Sequence, residues 1–244
     1  MKLAIMQPYF FPYIGYLSLI AASDKFILFD TAQYIRHGWV NRNRILKPSK
    51  DDWQYITAPL EKHQRETPIS EIYVRQDGWE RKMLAQLQHY RKRSKYYAET
   101  IRIVEETLMS DYPDARITHR IAKSLELICQ YIELPLNLSV FTEMDLQIAP
   151  AAEPDEWALN ICKAMGATGY VNPEGGLDFF DVKKYEDADV AINFIRNNLT
   201  AYPQSNNQFI PGLSIIDVLM NNNPEQMHEL VSNYSVVDKS RTLC

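Results

Sequence analysis

The first thirty residues show a pattern of apolar and polar positions that predicts a strand, a helix and a second strand. Lys2 to Met6 and Lys25 to Asp30 are almost continuously apolar, which is typical of strands buried on both faces. Between them, Tyr13 to Ala22 presents a broad apolar face at helical spacing, and Ser23 with Asp24 ends it. Because the crossover is short, we expect the two strands to lie parallel in one sheet.

The middle of the chain changes from extended to helical character. Within an extended segment of about 31–75, short strand patterns lie at 43–46, 53–58 and 69–74, separated by polar turns. From about 78 to 134 the apolar residues recur at helical spacing in three successive segments. We therefore expect a helical insertion or cap.

Strands and helices alternate again towards the C-terminus. The predicted elements are a strand at 138–141, a helix at 155–165, strands at 169–171 and 189–194, and helices at 213–220 and 224–231. We find no internal repeat and no linker composition, so residues 1–244 are expected to form a single α/β domain. Its predicted architecture is an open parallel sheet of nucleotidylyltransferase-like, Rossmann-like type, with the helical insertion.

Composition restricts the partners and the compartment. The net charge of -5 argues against binding DNA by general phosphate neutralisation, while a specific RNA partner such as a tRNA stays open. Of the cysteines, Cys129 and Cys162 lie on apolar helical faces and Cys244 is terminal, and their spacing fits neither a disulfide framework nor a zinc site. With no secretory pattern and no apolar run of membrane length, we expect a cytoplasmic protein without membrane insertion.

The loop after the first strand, QPYFFPYIGY, occupies a position where parallel sheets commonly bind ligands. Gln7, Tyr13 and Tyr16 are its candidate pocket walls. Gly15 in the first helical turn permits either the close approach of a phosphate or tight packing, and both interpretations stay open.

The segment DTAQYIRHGWVNRNR, directly after the second strand, concentrates polar and aromatic side chains. His37 is the best candidate base by residue type, because its ordinary pKa allows both protonation states near neutrality. Asp30 ends a buried strand, and the guanidinium of Arg42 is able to donate two parallel hydrogen bonds to a phosphate or carboxylate. A solvated, turn-rich loop is the alternative. The further candidates for substrate binding are Gln33, Tyr34, Trp39, Asn41 and Asn43.

A third cluster, YVNPEGGLDFFD, follows a short strand. Asn172 ends that strand, and Gly175 with Gly176 provides backbone that is free to approach a ligand, although a plain turn explains the glycines equally well. Three acidic residues, Glu174, Asp178 and Asp181, are able to ligate Mg²⁺, but no spacing here is diagnostic, so we predict no metal site.

The fourth cluster lies near the C-terminus. Tyr202 and Gln204 in YPQSNNQ are candidates for substrate binding. Ser214 is expected to cap the following helix, with Asp217 at the position of the acid in a capping box.

Together these motifs resemble the WbqC-like family. The resemblance rests on QPYFFPYIGYLSLI, DTAQYIRHGWVNRNRIL, YVNPEGGLDFFD, and YPQSNNQF followed by LSIIDVLM, in this order. It implies an aminoacyl transfer, such as glycyl transfer, or another acyl transfer. The acceptor would be the amine of a nucleotide-linked amino sugar or similar small molecule, in the biosynthesis of O-antigen, other surface polysaccharides or natural products.

The stretch from Tyr13 to Ile20 also resembles the first turn of the HIGH-superfamily nucleotidylyltransferases, pantothenate synthetases included, with tyrosines in place of both histidines. A nucleotidylyltransferase or ATP-dependent ligase is therefore a second hypothesis, although tyrosine does not offer a triphosphate the cation that histidine does. A non-catalytic binding protein in a biosynthetic complex is a third.

Amide formation needs an activated acyl donor, a base and donors for the oxyanion. His37 or Asp30 is the expected base, and Arg42 with Asn41 or Asn43 the expected anion binder. The cofactor is unassigned; the candidates are ATP with Mg²⁺ and an activated donor such as an aminoacyl-tRNA, and a homodimer is left open. If the hypothesis is right, Gln7, Asp30, Arg42, Asn172 and Tyr202 line one cavity.

Overall fold

The structure is a computed structural model that describes residues 1–49, 52–204 and 208–237. Its strands are β1 (Lys2–Met6), β2 (Lys25–Leu28), β3 (Arg42–Leu46), β4 (Trp53–Thr57), β5 (Leu138–Val140), β6 (Gly169–Pro173), β7 (Ala191–Asn197) and β8 (Tyr234–Val237). Its helices are α1 (Ile14–Ala21), α2 (Trp79–Leu87), α3 (Tyr97–Met109), α4 (Ile117–Tyr131), α5 (Glu156–Ala164), α6 (Val182–Glu186), α7 (Ile215–Asn221) and α8 (Pro224–Ser232).

Six of these strands form one sheet in the order β5-β2-β1-β6-β7-β8. All neighbours from β5 to β7 are parallel, and β8 runs antiparallel to β7 at the edge. The predicted α/β class, a Rossmann-like open sheet, is confirmed. The antiparallel edge strand was not predicted.

Helices cover both faces of the sheet. Successive strand residues point to opposite faces, so a continuously apolar strand needs packing partners on both sides. On one face Ala4, Phe26 and Val171 belong to a core that includes residues of α1, α7 and α8. On the other face Leu3 and Tyr170 belong to a second core with α5 and α6. The strands are therefore buried on both sides, as their continuous apolar character indicates.

Between β2 and β5 the chain forms the antiparallel pair β3–β4 and the three helices α2, α3 and α4. The helical periodicity predicted these three helices correctly. The predicted strand at 69–74 is wrong: Ile69–Glu71 form one 3₁₀ turn, and Tyr73 and Val74 make only isolated bridges. The buried residues of this segment are Ile69, Ile72 and Val74, which is not the every-second-residue pattern of a strand with one buried face. They are buried although the segment forms no hydrogen-bonded strand pair.

The order in which the chain adds strands to the sheet reverses between β1 and β6. From β1 the chain adds β2 and then β5 on one side, and from β6 it adds β7 and β8 on the other. In open α/β sheets, ligands bind beyond the carboxyl ends of the strands at such a point. The loops after β1 and β6 both begin there.

Candidate functional site

A cavity of about 640 Å³ lies beyond the carboxyl ends of β1 and β6. This aromatic cavity is lined chiefly by Gln7, Tyr9, Tyr13, Tyr16, Phe29, Ile35, Trp39, Trp157, Tyr170, Asn172, Gly175, Gly176, Phe179 and Phe180. Its volume falls in the usual range for sites that bind small molecules. It occupies the point where the strand order reverses.

Two loops are joined at the wall of this cavity. The Phe10 amide donates to the Trp39 carbonyl over 3.1 Å, which fixes the loop after β1 to the segment that precedes β3. The ring of Tyr9 stacks on Trp39 at 5.7 Å between centroids and meets Tyr16 edge-on at 5.9 Å. One continuous aromatic wall results from residues that are far apart in sequence.

The mouth of the aromatic cavity exposes large apolar side chains. The exposed fractions are 60% for Ile35, 40% for Trp39, 38% for Trp157 and 54% for Phe179. The Trp157 ring packs against the Phe29 ring, with 5.5 Å between their centroids. Exposed apolar groups gathered around one opening are typical of a binding site, whereas scattered ones need no explanation.

The polar groups of this cavity are neutral. Among its described lining residues there is no acidic, basic or histidine side chain. Asn172 Nδ2 donates to the Tyr170 hydroxyl over 2.5 Å, and the Tyr16 hydroxyl donates to the Gln7 carbonyl over 2.9 Å. Burial raises the pKa of Tyr9 above its ordinary value, so this hydroxyl is no base at neutral pH.

The ring of Tyr13 packs directly against Gly15. A Cβ added at this position would lie 2.4 Å from Cε2 of Tyr13, because the tyrosine ring rests on the first turn of α1. The packing alternative therefore accounts for Gly15, and Tyr13 covers the backbone to which the phosphate alternative assigned a ligand.

A second, larger opening of about 1520 Å³ lies on the other side of the segment from Ile35 to Arg42. This cationic cleft is lined chiefly by Gln33, Tyr34, Ile35, Arg36, His37, Asn41, Arg42, Lys62, His63, Arg65, Glu71 and Tyr73. Ile35 lines both openings. The predicted site is thus divided into two adjoining compartments.

Arg42 shapes the turn that separates the compartments. Its guanidinium donates through Nε to the Gly38 carbonyl over 3.2 Å and through Nη2 to the His37 carbonyl, and it lies 4.3 Å from the centre of the Tyr55 ring. His37 has a left-handed backbone with φ +64° and an exposed side chain. Arg42 therefore fixes the turn that presents the imidazole to the cationic cleft.

Asn41 and Asn43 have structural partners, which corrects their predicted role as anion binders. Asn41 accepts from the Tyr34 hydroxyl and donates to the Ala58 carbonyl, both over 2.9 Å. Asn43 Nδ2 donates to the Phe11 carbonyl over 2.5 Å. Both asparagines are buried, so these amide groups are occupied within the protein.

Asp30 is also a structural residue. It is fully buried, and its carboxylate accepts from the Thr142 amide over 3.1 Å and from the Thr142 hydroxyl over 2.7 Å. A base must reach the proton that it removes. The prediction that Asp30 is a base is therefore contradicted, because both of its oxygens face a neighbouring loop.

Tyr202 and Gln204 lie away from both compartments. The Tyr202 hydroxyl and the Tyr90 hydroxyl donate to the two oxygens of Asp217 over 2.7 and 2.5 Å, and Gln204 donates to Asp217 over 3.2 Å. Burial raises the pKa of Asp217 from 3.8 to about 6, although these hydrogen bonds act to lower it. Ser214 caps α7 as predicted, but the side chain of Asp217 enters this network instead of a capping box.

The prediction of a single cavity is therefore wrong. Gln7, Tyr13, Tyr16, Trp39, Asn172, Gly175 and Gly176 meet in the aromatic cavity, whereas Gln33, Tyr34, His37, Asn41 and Arg42 meet in the cationic cleft. The sequence analysis did not select Trp157, Phe179, Arg36 or Arg65. The adjacent pair Phe179-Phe180 was a usable signal, because two consecutive aromatics do not readily face one core.

The acidic residues of the third cluster do not fit the Mg²⁺ alternative. Glu174 pairs with Arg196 over 3.1 Å, and Asp181 caps α6 by accepting from the Lys183 amide over 3.0 Å. In the described ranges, no three His, Cys, Asp or Glu side chains are grouped so as to hold a metal ion. Within the same ranges, no helix is long and apolar enough to span a membrane.

The cysteines that the structure describes are core residues. Cys129 and Cys162 are free thiols, and burial raises the pKa of each to about 12. This agrees with their predicted place in the core, where a thiolate is not available as a nucleophile. Cys244 lies outside the described residues.

Comparisons with known proteins match most of the chain. The model of the WbqC-like protein family matches residues 7–229. The uncharacterized protein Rv1507c of Mycobacterium tuberculosis is 26% identical over 223 residues, which cover 90% of this chain and 93% of that relative. No solved structure matches the chain.

Proposed function

This chain belongs to the WbqC-like protein family, and from this membership together with the aromatic cavity we propose that it is a transferase that forms an amide on the amine of a nucleotide-linked amino sugar or similar small molecule. The observation that carries the proposal is the uncharged aromatic cavity at the reversal point of the sheet. Sugar rings and nucleobases present flat faces, which stack on exposed aromatic side chains.

The neutrality of the cavity suits a nucleobase, which carries no charge at neutral pH. The side-chain amides of Gln7 and Asn172 both donate and accept hydrogen bonds, so they suit hydroxyl and base edges without adding charge.

The reaction is acyl transfer from an activated donor, either an ester such as an aminoacyl-tRNA or an acyl phosphate formed with ATP. The amine nitrogen forms a bond to the acyl carbon, and the bond from that carbon to the donor oxygen breaks. The base that accepts the amine proton passes it to the departing oxygen of an ester, which leaves as an alcohol, whereas an acyl phosphate releases a phosphate anion. His37 is our candidate for the base, since its imidazole is exposed on the turn between the two compartments.

The direct test is incubation of the purified protein with nucleotide-linked amino sugars and two donor systems, glycine with ATP and Mg²⁺, and glycyl-tRNA. We expect a mass gain of one glycyl group on the amino sugar, and none on its N-acetylated counterpart. Binding of the amino sugar without an adduct from either donor would contradict the transferase and favour a binding protein.

The double variant Trp39→Ala with Trp157→Ala tests the cavity. We expect at least tenfold weaker binding of the acceptor, measured by calorimetry, because stacking contributes roughly 1–3 kcal/mol per ring. The matched control is Val236→Ala, an exposed apolar side chain on the edge strand β8, which β7 separates from β6 and which does not line the cavity. Equal affinities of the double variant and the control would exclude the aromatic cavity as the acceptor site.

A further inference from the structure

The cationic cleft concentrates positive charge on a chain of net charge -5. Arg36, Arg42, Lys62 and Arg65 line it, and Glu71 is the single carboxylate among its described lining residues. None of these four cations forms an ion pair with a described acidic residue, whereas Lys184, for example, pairs with Asp155 and Glu156. Clustered cations without carboxylate partners repel one another, so a bound anion would stabilise this region.

The walls of the cleft are fixed by hydrogen bonds within the protein. Gln33 donates to the Arg65 carbonyl over 2.9 Å, and the His63 ring meets Tyr34 edge-on at 4.9 Å. The Tyr34 hydroxyl is in turn bonded to Asn41. The backbone that carries the cations is therefore held in place before any ligand arrives, which lowers the entropic cost of binding.

The cationic cleft adjoins the aromatic cavity through Ile35, which lines both. His37 faces the cleft, and Trp39, two residues later, faces the cavity. A ligand with a ring in the cavity and an anionic substituent would extend over Ile35 into the cleft. The two compartments thus match a molecule that is flat and neutral at one end and strongly anionic in the next segment.

We propose that the cationic cleft binds the diphosphate of the same nucleotide-linked acceptor whose nucleobase occupies the aromatic cavity; this inference rests on the proposed function. Arginine suits a diphosphate because its planar guanidinium donates two parallel hydrogen bonds to phosphate oxygens. Arg36 and Arg65 are the phosphate-binding side chains. Arg42 adds charge but is held by the His37 and Gly38 carbonyls.

The test compares uridine, uridine monophosphate, uridine diphosphate and inorganic pyrophosphate by calorimetry at two salt concentrations. We expect affinity to rise with each phosphate, and the affinity for uridine diphosphate to fall as salt is raised. The variant Arg36→Gln with Arg65→Gln should bind uridine diphosphate at least tenfold more weakly and uridine unchanged. The control Arg102→Gln removes an exposed arginine on α3, outside the cleft, and should change neither affinity.

Three results would overturn the inference: equal affinity for uridine and uridine diphosphate, undiminished diphosphate binding by the double variant, or binding of bulk tRNA under conditions where neither pyrophosphate nor uridine diphosphate binds. The last result would assign the cleft to a nucleic acid. Failure of the proposed function gives a different outcome. If diphosphate binding depends on Arg36 and Arg65 but no glycyl transfer is found, this inference stands and the proposed function fails. If the Arg36→Gln, Arg65→Gln variant transfers glycine with an unchanged KM for the amino-sugar acceptor, the proposed function stands and this inference fails.

Discussion

Gly175 and Gly176 are consecutive and line the same cavity, but their α-carbons face different surroundings. A Cβ on Gly175 would meet nothing within 4 Å, whereas a Cβ on Gly176 would lie 2.3 Å from Oδ1 of Asn172. We expect Gly176→Ala to displace the Asn172 amide and to weaken acceptor binding about tenfold or more. Gly175→Ala is the matched control, and calorimetry on both variants checks the prediction. Equal effects of the two alanines would show that Asn172 does not contact the acceptor.

Asn43 supports a strained residue of the cavity loop. Phe11 has φ +41°, and its carbonyl accepts from both Asn43 and the Ser214 hydroxyl. We expect Asn43→Ala to lower the free energy of unfolding by about 1–3 kcal/mol, because it leaves a buried carbonyl with one donor fewer. Urea denaturation measures this, with the exposed α4 residue Gln130→Ala as the control. A loss no larger than that of the control would assign the loop geometry to Ser214.

Residue types alone did not separate these structural asparagines from ligand-binding ones. In the stretch from Asp30 to Arg44, the polar side chains that bind the protein backbone and those that face a cleft are of the same residue types. The sequence therefore placed this polar cluster correctly after the second strand. The choice between roles depends on burial and on partners such as Phe11 and Thr142, which are distant in sequence.

At the scale of elements, Asp30 joins the end of β2 to the turn that follows β5. We expect Asp30→Ala to lower the free energy of unfolding by roughly 2 kcal/mol, since it removes two hydrogen bonds and leaves space in a buried site. His37→Asn is the contrast: asparagine tolerates the left-handed backbone, so stability should change by less than about 0.5 kcal/mol while transfer activity falls.

Thermal unfolding and the glycyl-transfer assay, applied to both variants, separate the two roles. If Asp30→Ala were fully stable but inactive, Asp30 would be a base after all. If His37→Asn retained full activity, the imidazole would have no part in the reaction.

The elements were predictable where burial imposes a regular period. Helices α3 and α4 carry apolar residues at a spacing that only one regular structure satisfies, whereas β1 was recognised as a short, continuous apolar run. The short elements α6 and β8, with five and four residues, are too short for a period to be recognised. In the segment 69–74, apolar residues are buried by α4 and its neighbours, so burial there does not indicate a strand.

At the scale of the whole molecule, Asp217 connects the helical segment after β4 to α7 through Tyr90. Its pKa is raised to about 6 in the folded protein from an ordinary 3.8. Between these values the folded protein keeps a proton that the unfolded chain has released, so rising pH favours unfolding. The contribution of Asp217 should therefore fall by about 3 kcal/mol as the pH rises from about 4 to 6.

The measurement is urea denaturation of the wild type and Asp217→Asn at several pH values across this window. We expect the free energy of unfolding of the wild type, relative to that of Asp217→Asn, to decrease as the pH rises towards 6. Above that pH the contribution of Asp217 should become constant. Asp178→Asn, an exposed carboxylate, serves as the control. A difference between wild type and Asp217→Asn that stays constant from pH 4 to 7 would contradict the prediction.

Strand order is the property of the whole molecule that the sequence left open, and it decided which motifs share a site. Apolar runs joined by short crossovers indicated a parallel sheet, and this is confirmed. They did not indicate that β6 lies beside β1, which brings Asn172 to the loop that holds Gln7. The loop with Tyr202 follows β7, one strand further away, and packs on α7 instead.

The placement of the tryptophans gives the protein an optical reporter of its own site. Of four tryptophans, Trp39 and Trp157 stand at the mouth of the aromatic cavity, while Trp53 is on β4 and Trp79 is buried at the start of α2. A ligand that stacks in the cavity changes the polarity around the first pair and leaves the second pair unaffected. A variant with phenylalanine at positions 53 and 79 would therefore emit from the site alone, so that candidate acceptors are screened by fluorescence without labels.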